Sequence, residues 1–260
     1  MLQTKKYILE IATTDFETTK SALEGGADRI ELCANLAEGG TTPSYATIRQ
    51  CRDFPVLLYP MIRPRGGDFL YTEDEFEIMR HDTMLAKQLG CDGIVTGFLN
   101  KDGTIDVNRT KSLVELAYPL GVNFHRAFDR CRDPFEALEQ LIEAGCERIL
   151  TSGQKAVAPE GIDLITQLVT AAKDRIIIMP GSGINKNNFQ LFAEIGCTEF
   201  HASLRSRIKS KMQFIHPAFK SSEESYLNNA IDREEVSAFK KAMTNYELYD
   251  AKLKKSLGEN

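Results

Sequence analysis

Short apolar runs of strand character alternate along the chain with stretches of helical period, and this alternation predicts successive βα units. Eight strands follow: Tyr7 to Ala12, Arg29 to Cys33, Val56 to Ile62, Gly93 to Gly97, Val122 to His125, Arg148 to Ser152, Ile176 to Pro180, and Glu199 to Ser203. The helices between them carry recognisable starts. Thr72-Glu73-Asp74-Glu75 has the pattern of a capping box, and Asp133-Pro134-Phe135-Glu136 offers an N-cap followed by proline at the first helical position. Gly25-Gly26, Gly90, Gly145 and Gly196 stand where left-handed C-caps are needed.

An internal repeat sharpens the picture. Gly26-Ala27-Asp28-Arg29-Ile30-Glu31-Leu32-Cys33, Gly90-Cys91-Asp92-Gly93-Ile94-Val95-Thr96-Gly97, Gly145-Cys146-Glu147-Arg148-Ile149-Leu150-Thr151-Ser152 and Gly196-Cys197-Thr198-Glu199-Phe200-His201-Ala202-Ser203 superpose without gaps. Each segment leads into an even-numbered strand, so one repeat spans two βα units and four make eight. The chain therefore reads as α/β, a single-domain (β/α)8 TIM barrel over residues 1–260, with 204–260 as C-terminal loop, last helix and tail. An open doubly wound sheet is the competing architecture, because it also alternates β and α. Past Ser203 the pattern loosens. Arg205 to Lys211 is basic and reads as a loop, Arg233 to Leu253 as the last helix, and Lys254 to Asn260 as a frayed end.

Composition narrows the partners. The 260 residues match one such barrel, and a formal net charge of -5 argues against a nucleic-acid surface, which is usually basic. No apolar run approaches the roughly 18 to 20 residues that cross a bilayer, and Met1 to Tyr7 lack a secretory h-region. The expectation is a cytoplasmic protein with no membrane partner. Its six cysteines are scattered, without a C-x-x-C pair, and read as reduced thiols. Cys91, Cys146 and Cys197 occupy equivalent repeat positions before a strand, at the barrel bottom, where buried thiols pack. Cys33 instead ends strand two, on the side where barrels do chemistry.

Candidate chemistry gathers at the same strand ends. Alternation puts Glu10 with Ala12 on one face of strand one and Glu31 with Cys33 on one face of strand two. A mid-strand carboxylate is costly to bury unpaired, so Glu10 and Glu31 read either as a base or cation ligand or as ion-pair partners of Arg63 or Arg126. Strand three ends in Arg63-Pro64-Arg65-Gly66-Gly67, whose two guanidinium forks suit a carboxylate or phosphate. Strand five ends in His125-Arg126-Ala127-Phe128-Asp129, where His125 can serve as acid, base or metal ligand. His201 on strand eight is a neighbour of Glu10 once the ring closes. His81 and His216 read as exposed bystanders. The turn Gly181-Ser182-Gly183 after strand seven, leading into a helix and extended by Ser152 of strand six, has the composition of an anion nest. Catalytic candidates are thus Glu10, Glu31 and His125. Anion-binding candidates are Arg63, Arg65, Arg126, Asp129, Ser152, Gly181, Ser182, Gly183 and His201.

Several blocks, taken in order, resemble the CutC family of copper homeostasis proteins. They are Gly25 to Cys33, Glu38-Gly39-Gly40-Thr41-Thr42-Pro43-Ser44, Met61 to Phe69, Phe124 to Asp129, Leu150 to Gly153, and Met179 to Ile184. The resemblance covers about residues 7 to 205. It implies a cytoplasmic barrel linked to copper tolerance or trafficking, assembled as a homodimer or homotetramer. It also implies a Cu(I) site at the ends of strands one and two, where some relatives place paired cysteines. Here strand two keeps Cys33 as the metal candidate, and the strand-one position is Ala12. Copper(I) favours soft thiolate or thioether ligands, so a partner for Cys33 has to come from elsewhere. Two functions stand side by side: copper handling through Cys33, and an enzyme for a small anionic metabolite, phosphorylated or carboxylated, at the barrel mouth.

Overall fold

Left-handed glycines place the even-numbered strands. In the computed structural model, which describes residues 7–214, 216 and 226–257, Gly26, Gly90, Gly145 and Gly196 take φ of 99°, 73°, 85° and 107°. A side chain is strained in that region, so glycine ends each helix and turns the chain straight into a strand. In the first two of these repeats an aspartate two positions on then finishes the turn. Asp28 accepts the backbone N–H of Leu9 at 2.8 Å, and Asp92 accepts that of Leu58 at 2.9 Å, each tying the repeat to the start of the neighbouring strand.

The observed order is β1 (Ile8–Thr13), α1 (Phe16–Gly25), β2 (Arg29–Leu32), α2 (Tyr45–Cys51), β3 (Leu57–Pro60), α3 (Glu73–Gln88), β4 (Gly93–Thr96) and α4 (Val107–Ala117). It continues with β5 (Gly121–Phe124), α5 (Pro134–Ala144), β6 (Arg148–Thr151), α6 (Ile162–Ala172), β7 (Ile177–Pro180), α7 (Phe189–Glu194) and β8 (Glu199–Ala202). The capping box at Thr72 and the Asp133 cap with its following proline both form as read. All eight strand assignments hold to within a residue or two at each end. All pairings among them are parallel, in the orders β3-β2-β1-β8 and β4-β5-β6-β7. A Met61–Val95 bridge joins β3 to β4, and β7 lies beside β8. Because β1 sits between β2 and β8, the ring of a (β/α)8 barrel replaces the doubly wound alternative.

Three expectations for the C-terminal segment change. The basic stretch after Ser203 is a strand, β9 (Arg205–Lys209), paired antiparallel with β10 (Leu227–Ile231). Its side chains are mostly exposed, so no apolar alternation betrayed it in the sequence. The last helix, α8 (Arg233–Leu257), runs beyond Leu253, and of the residues read as frayed only 258–260 lie outside the described residues. It packs on α1 so closely that a Cβ at Gly25 would stand 2.5 Å from Val236 Cβ. Among the described residues, no helix is long and apolar enough to cross a membrane.

Alternation along the strands builds two interiors. Leu9, Ile11, Ile30, Leu32, Leu58, Ile94, Phe124, Ile149 and Phe200 point out to the helices and are buried there. The opposite faces fill the barrel, and there the usual aliphatic layers give way to charge. Arg29 pairs with Glu10 and, at 2.5 Å, with Glu199. Arg148 reaches Glu199 at 3.0 Å and Glu147 at 2.7 Å. Both guanidinium groups lie over the Tyr59 ring, 5.3 and 5.2 Å from its centre. Gly93 makes the room, since a Cβ there would fall 2.0 Å from Tyr59 Cε1.

Removing one member of a buried pair strands the other without water. Arg29→Met, which leaves Glu10 and Glu199 short of a cation, is expected to cost about 3–5 kcal/mol in urea unfolding at neutral pH. The loss should shrink as pH falls through the carboxylate range, because a protonated Glu10 no longer needs the partner. An unchanged midpoint at pH 7 would show that the network does not hold the barrel together.

Candidate functional site

A cavity of about 1160 Å³ opens at the carboxyl ends of the strands. Glu31, Arg63, His125, Arg126, Ser182, Gly183 and His201 all line it. These side chains come from strands or strand-end loops dispersed over the chain, and closure of the ring brings them to one rim.

One wall is a chain of ionisable groups. Glu10 lies opposite His201 in the β1–β8 register, and its Oε1 is 2.7 Å from His201 Nδ1. The far nitrogen, Nε2, is 3.8 Å from Glu31 Oε2. Burial alone would hold Glu10 protonated, yet the Arg29 charge and the His201 hydrogen bond outweigh it and push its pKa far below the ordinary value. Glu31 goes the other way. Burial and the Glu10 charge raise its pKa, with His201 opposing them. His201 is disfavoured as a cation by burial, but the two carboxylates prevail and raise its pKa. The wall therefore holds an anionic Glu10 beneath a His201–Glu31 pair able to share a proton.

The opposite wall is neutral. His125 is 4% exposed, and its Nδ1 accepts the Ala127 backbone N–H at 3.1 Å, which leaves the hydrogen on Nε2. Burial and the Arg63 charge pull its pKa down to about 3, so it stays uncharged. Phe69 packs against the ring, tilted at 51°, with 4.9 Å between centres. Lys101, Arg126, Arg130 and Arg205 add positive charge around the opening, against Glu38 and Asp68.

Other candidates have structural duties. Arg63 does not pair with Glu31. It is 2% exposed and donates to the carbonyls of Glu38, Gly40 and Gly67, each at 2.8 Å, knitting together two loops that wall the cavity. Arg65 turns away to Glu75 and Asp68 and lies over Tyr71. Arg126 pairs with Asp129 at 2.7 Å, not with either barrel glutamate. Asp129 already fills the nest at the end of β6: its carboxylate accepts the backbone N–H of Ser152 and Gln154 and the Thr151 hydroxyl. Ser152 is bound there to Asp129 and lies outside the cavity lining. Gly181 is a spacing residue, because a Cβ would stand 2.5 Å from Leu150 Cδ1 and 3.3 Å from His201 Cβ. The helix expected directly after Gly183 begins only at Phe189 and has six residues, so no helix N-terminus meets the turn. Asn185 and Asn188 make an intervening loop, where Asn188 Oδ1 accepts the Asn185 N–H at 2.9 Å.

Cys33 is wholly buried and stands outside the cavity lining. Its thiol donates to Glu31 Oε2 at 3.5 Å, and burial and that carboxylate hold its pKa well above the ordinary value. It packs with Tyr59, Met61 and Val95. Cys51 is also buried, beside Thr19. The atoms of Glu10, Glu31 and His201 that could bind a metal lie within 4.8 Å of one another, but Glu10 is already committed to Arg29 and His201. Their oxygen and imidazole donors are also harder than Cu(I) prefers.

Sequence reasoning missed Arg29, Tyr59, Arg148 and Glu199, the charged support beneath the site, as well as the rim cations Lys101, Arg130 and Arg205. Arg29 and Arg148 occupy the same position of the internal repeat, and that coincidence was the available signal.

The family model that matches is described as the CutC family and spans residues 7–206. The chain belongs to the CutC family. It is 53% identical over 212 residues to a "family protein CutC" of Parabacteroides distasonis, covering 80% of this chain and 87% of that one. A Pasteurella multocida relative of the same description is 46% identical over 93% of this chain and 99% of its own. Among solved structures, a putative copper homeostasis protein CutC from Streptococcus agalactiae aligns with a TM-score of 0.72 at 34% identity, covering 75% of this chain and 97% of that one.

The two cavity histidines push stability in opposite directions with pH. An unfolded chain binds a proton on residue 125 near pH 6.5 that the folded chain refuses until about 3. Stability should therefore fall on acidification between those values, by up to about 1.4 kcal/mol per pH unit. His201, with a raised folded pKa, contributes stability that is complete below about 6.5 and lost as pH rises through its folded value. Urea unfolding from pH 4 to 9 should show a shallower acid limb in His125→Gln and a shallower alkaline limb in His201→Gln.

Proposed function

We propose that this CutC-family barrel is an acid–base catalyst that acts on a small anionic metabolite, phosphorylated or carboxylated, held at the carboxyl ends of its strands. The observation that carries the reading is the Glu10–His201–Glu31 chain, buried at one end and open to a large cavity at the other. Paired titratable groups with displaced pKa values in a cleft are the usual equipment for moving a proton. The rim cations supply attraction for the anionic part of the ligand.

Copper handling is the second reading, favoured by the family's name and by the Met61 thioether packed near Cys33. The residues present do not fit a two-thiolate Cu(I) site, because Ala12 stands at the strand-one position and Cys33 is a sealed, protonated thiol. Copper would have to displace that proton from a thiol that is wholly buried and outside the cavity lining. A cytoplasmic homodimer or homotetramer, with copper ion as its cargo, belongs to this reading.

Two measurements separate the readings. A thermal-shift panel of sugar phosphates and organic acids should yield a ligand that raises Tm by roughly 5–10 °C at a hundredfold excess over Kd. Most of that shift should vanish in the Arg130→Ala, Arg205→Ala double variant, and an empty panel would defeat the proposal. Anaerobic Cu(I) titration should show no difference between the native chain and Cys33→Ser. One equivalent bound tightly by the native chain and lost in the variant would restore copper as the ligand.

A further inference from the structure

The reading of the cavity as a proton-transfer site names no reacting group on the metabolite, and His125 narrows the choice. Its Nε2 is buried and has no hydrogen-bond partner among the described residues. Such a donor is destabilising unless something accepts from it, so its retention in a ligand cavity points to an acceptor brought by the ligand. The ring is held in place for that task. Ala127 N–H fixes the tautomer, the Phe69 ring lies tilted against it, and the imidazole fills the space that Gly97 leaves, where a Cβ would stand 2.4 Å from His125 Cε1. In the ring of eight strands β5 stands across from β1, so His125 faces the wall where Glu31 and His201 flank the short side chain of Ala12.

We infer that His125 Nε2–H receives the carbonyl oxygen of the bound metabolite while the adjoining C–H faces Glu31, which makes the substrate a carbonyl compound bearing an α-hydrogen and an anionic tail. This rests on the acid–base reading above. In the step itself the Glu31 carboxylate takes the α-proton. The C–H electron pair becomes the carbon–carbon double bond of an enolate, and the carbonyl π pair moves onto the oxygen, where the His125 N–H meets it. Return of a proton to carbon completes the turnover, so the chemistry needs no oxidant or co-reactant. A neutral imidazole suits the role because it strengthens its hydrogen bond as negative charge develops yet keeps its proton. Glu10 and His201 act as positioning residues behind Glu31.

The test uses the full chain labelled with 15N in its histidine rings and two probes: 2-phosphoglycolate, whose carboxylate mimics the enolate oxygen, and inorganic phosphate. Phosphoglycolate should move the His125 Nε2–H resonance downfield, and phosphate alone should not. His125→Leu should weaken phosphoglycolate about tenfold or more while leaving phosphate unchanged, and His125→Gln, which restores an N–H donor, should recover part of the loss. Phosphoglycolate binding that leaves the His125 resonance unmoved would overturn the inference and spare the acid–base reading. If neither probe binds while the thermal-shift panel yields another ligand, the inference again fails alone. If that panel is empty as well, both fail.

Discussion

Two arginines buried inside the ring set the terms for everything above them. Taking a guanidinium out of water costs several kcal/mol, and only close carboxylates repay it. Arg29 is met by Glu10 and Glu199, and Arg148 by Glu199 and Glu147, with Tyr59 beneath both cations. An aliphatic interior would be cheaper to build. The charged one fixes Glu10 as an anion at a set height in the barrel, and that anion orients His201 through Nδ1. His201 then presents Nε2 to Glu31. The properties of the mouth thus descend from a pairing one layer below it.

The loops around the mouth follow the same economy of internal satisfaction. Arg63 and Asp129 have the chemistry of ligand-binding groups, yet each bonds the chain's own backbone, with only the Arg63 Nε left without a partner among the described residues. Arg63 joins the loops after β2 and β3, and Asp129 fills the nest after β6. What is left without a full set of internal partners is narrower than the inventory of polar residues: the His201–Glu31 pair, the buried His125 donor and a rim of exposed cations. That set is equipped to move protons near an anion. Its oxygen and imidazole donors are harder than Cu(I) prefers, and the Cys33 thiol is buried against Glu31. Membership of the CutC family and the chemistry of this cavity therefore bear on different questions, since a shared fold does not fix a reaction.

The sequence by itself determined the barrel, its eight strands and the face that carries the site. Those features are local and repetitive: alternation of apolar residues sets each strand, a left-handed glycine sets each turn, and a four-fold repeat sets the count. It also placed Glu31, His125 and His201 at strand ends, because the two-residue period of a strand is readable from any one segment. Only the tertiary structure decided who pairs with whom. Arg63 and Arg126 looked like partners for the barrel glutamates, but Arg29, unremarked in its strand, is the cation that faces Glu10 across the β1–β2 register. The basic segment after β8 became a strand only because a distant segment pairs with it. Ion pairing and burial depend on distances between residues far apart in the chain, and those distances exist only once the ring has closed.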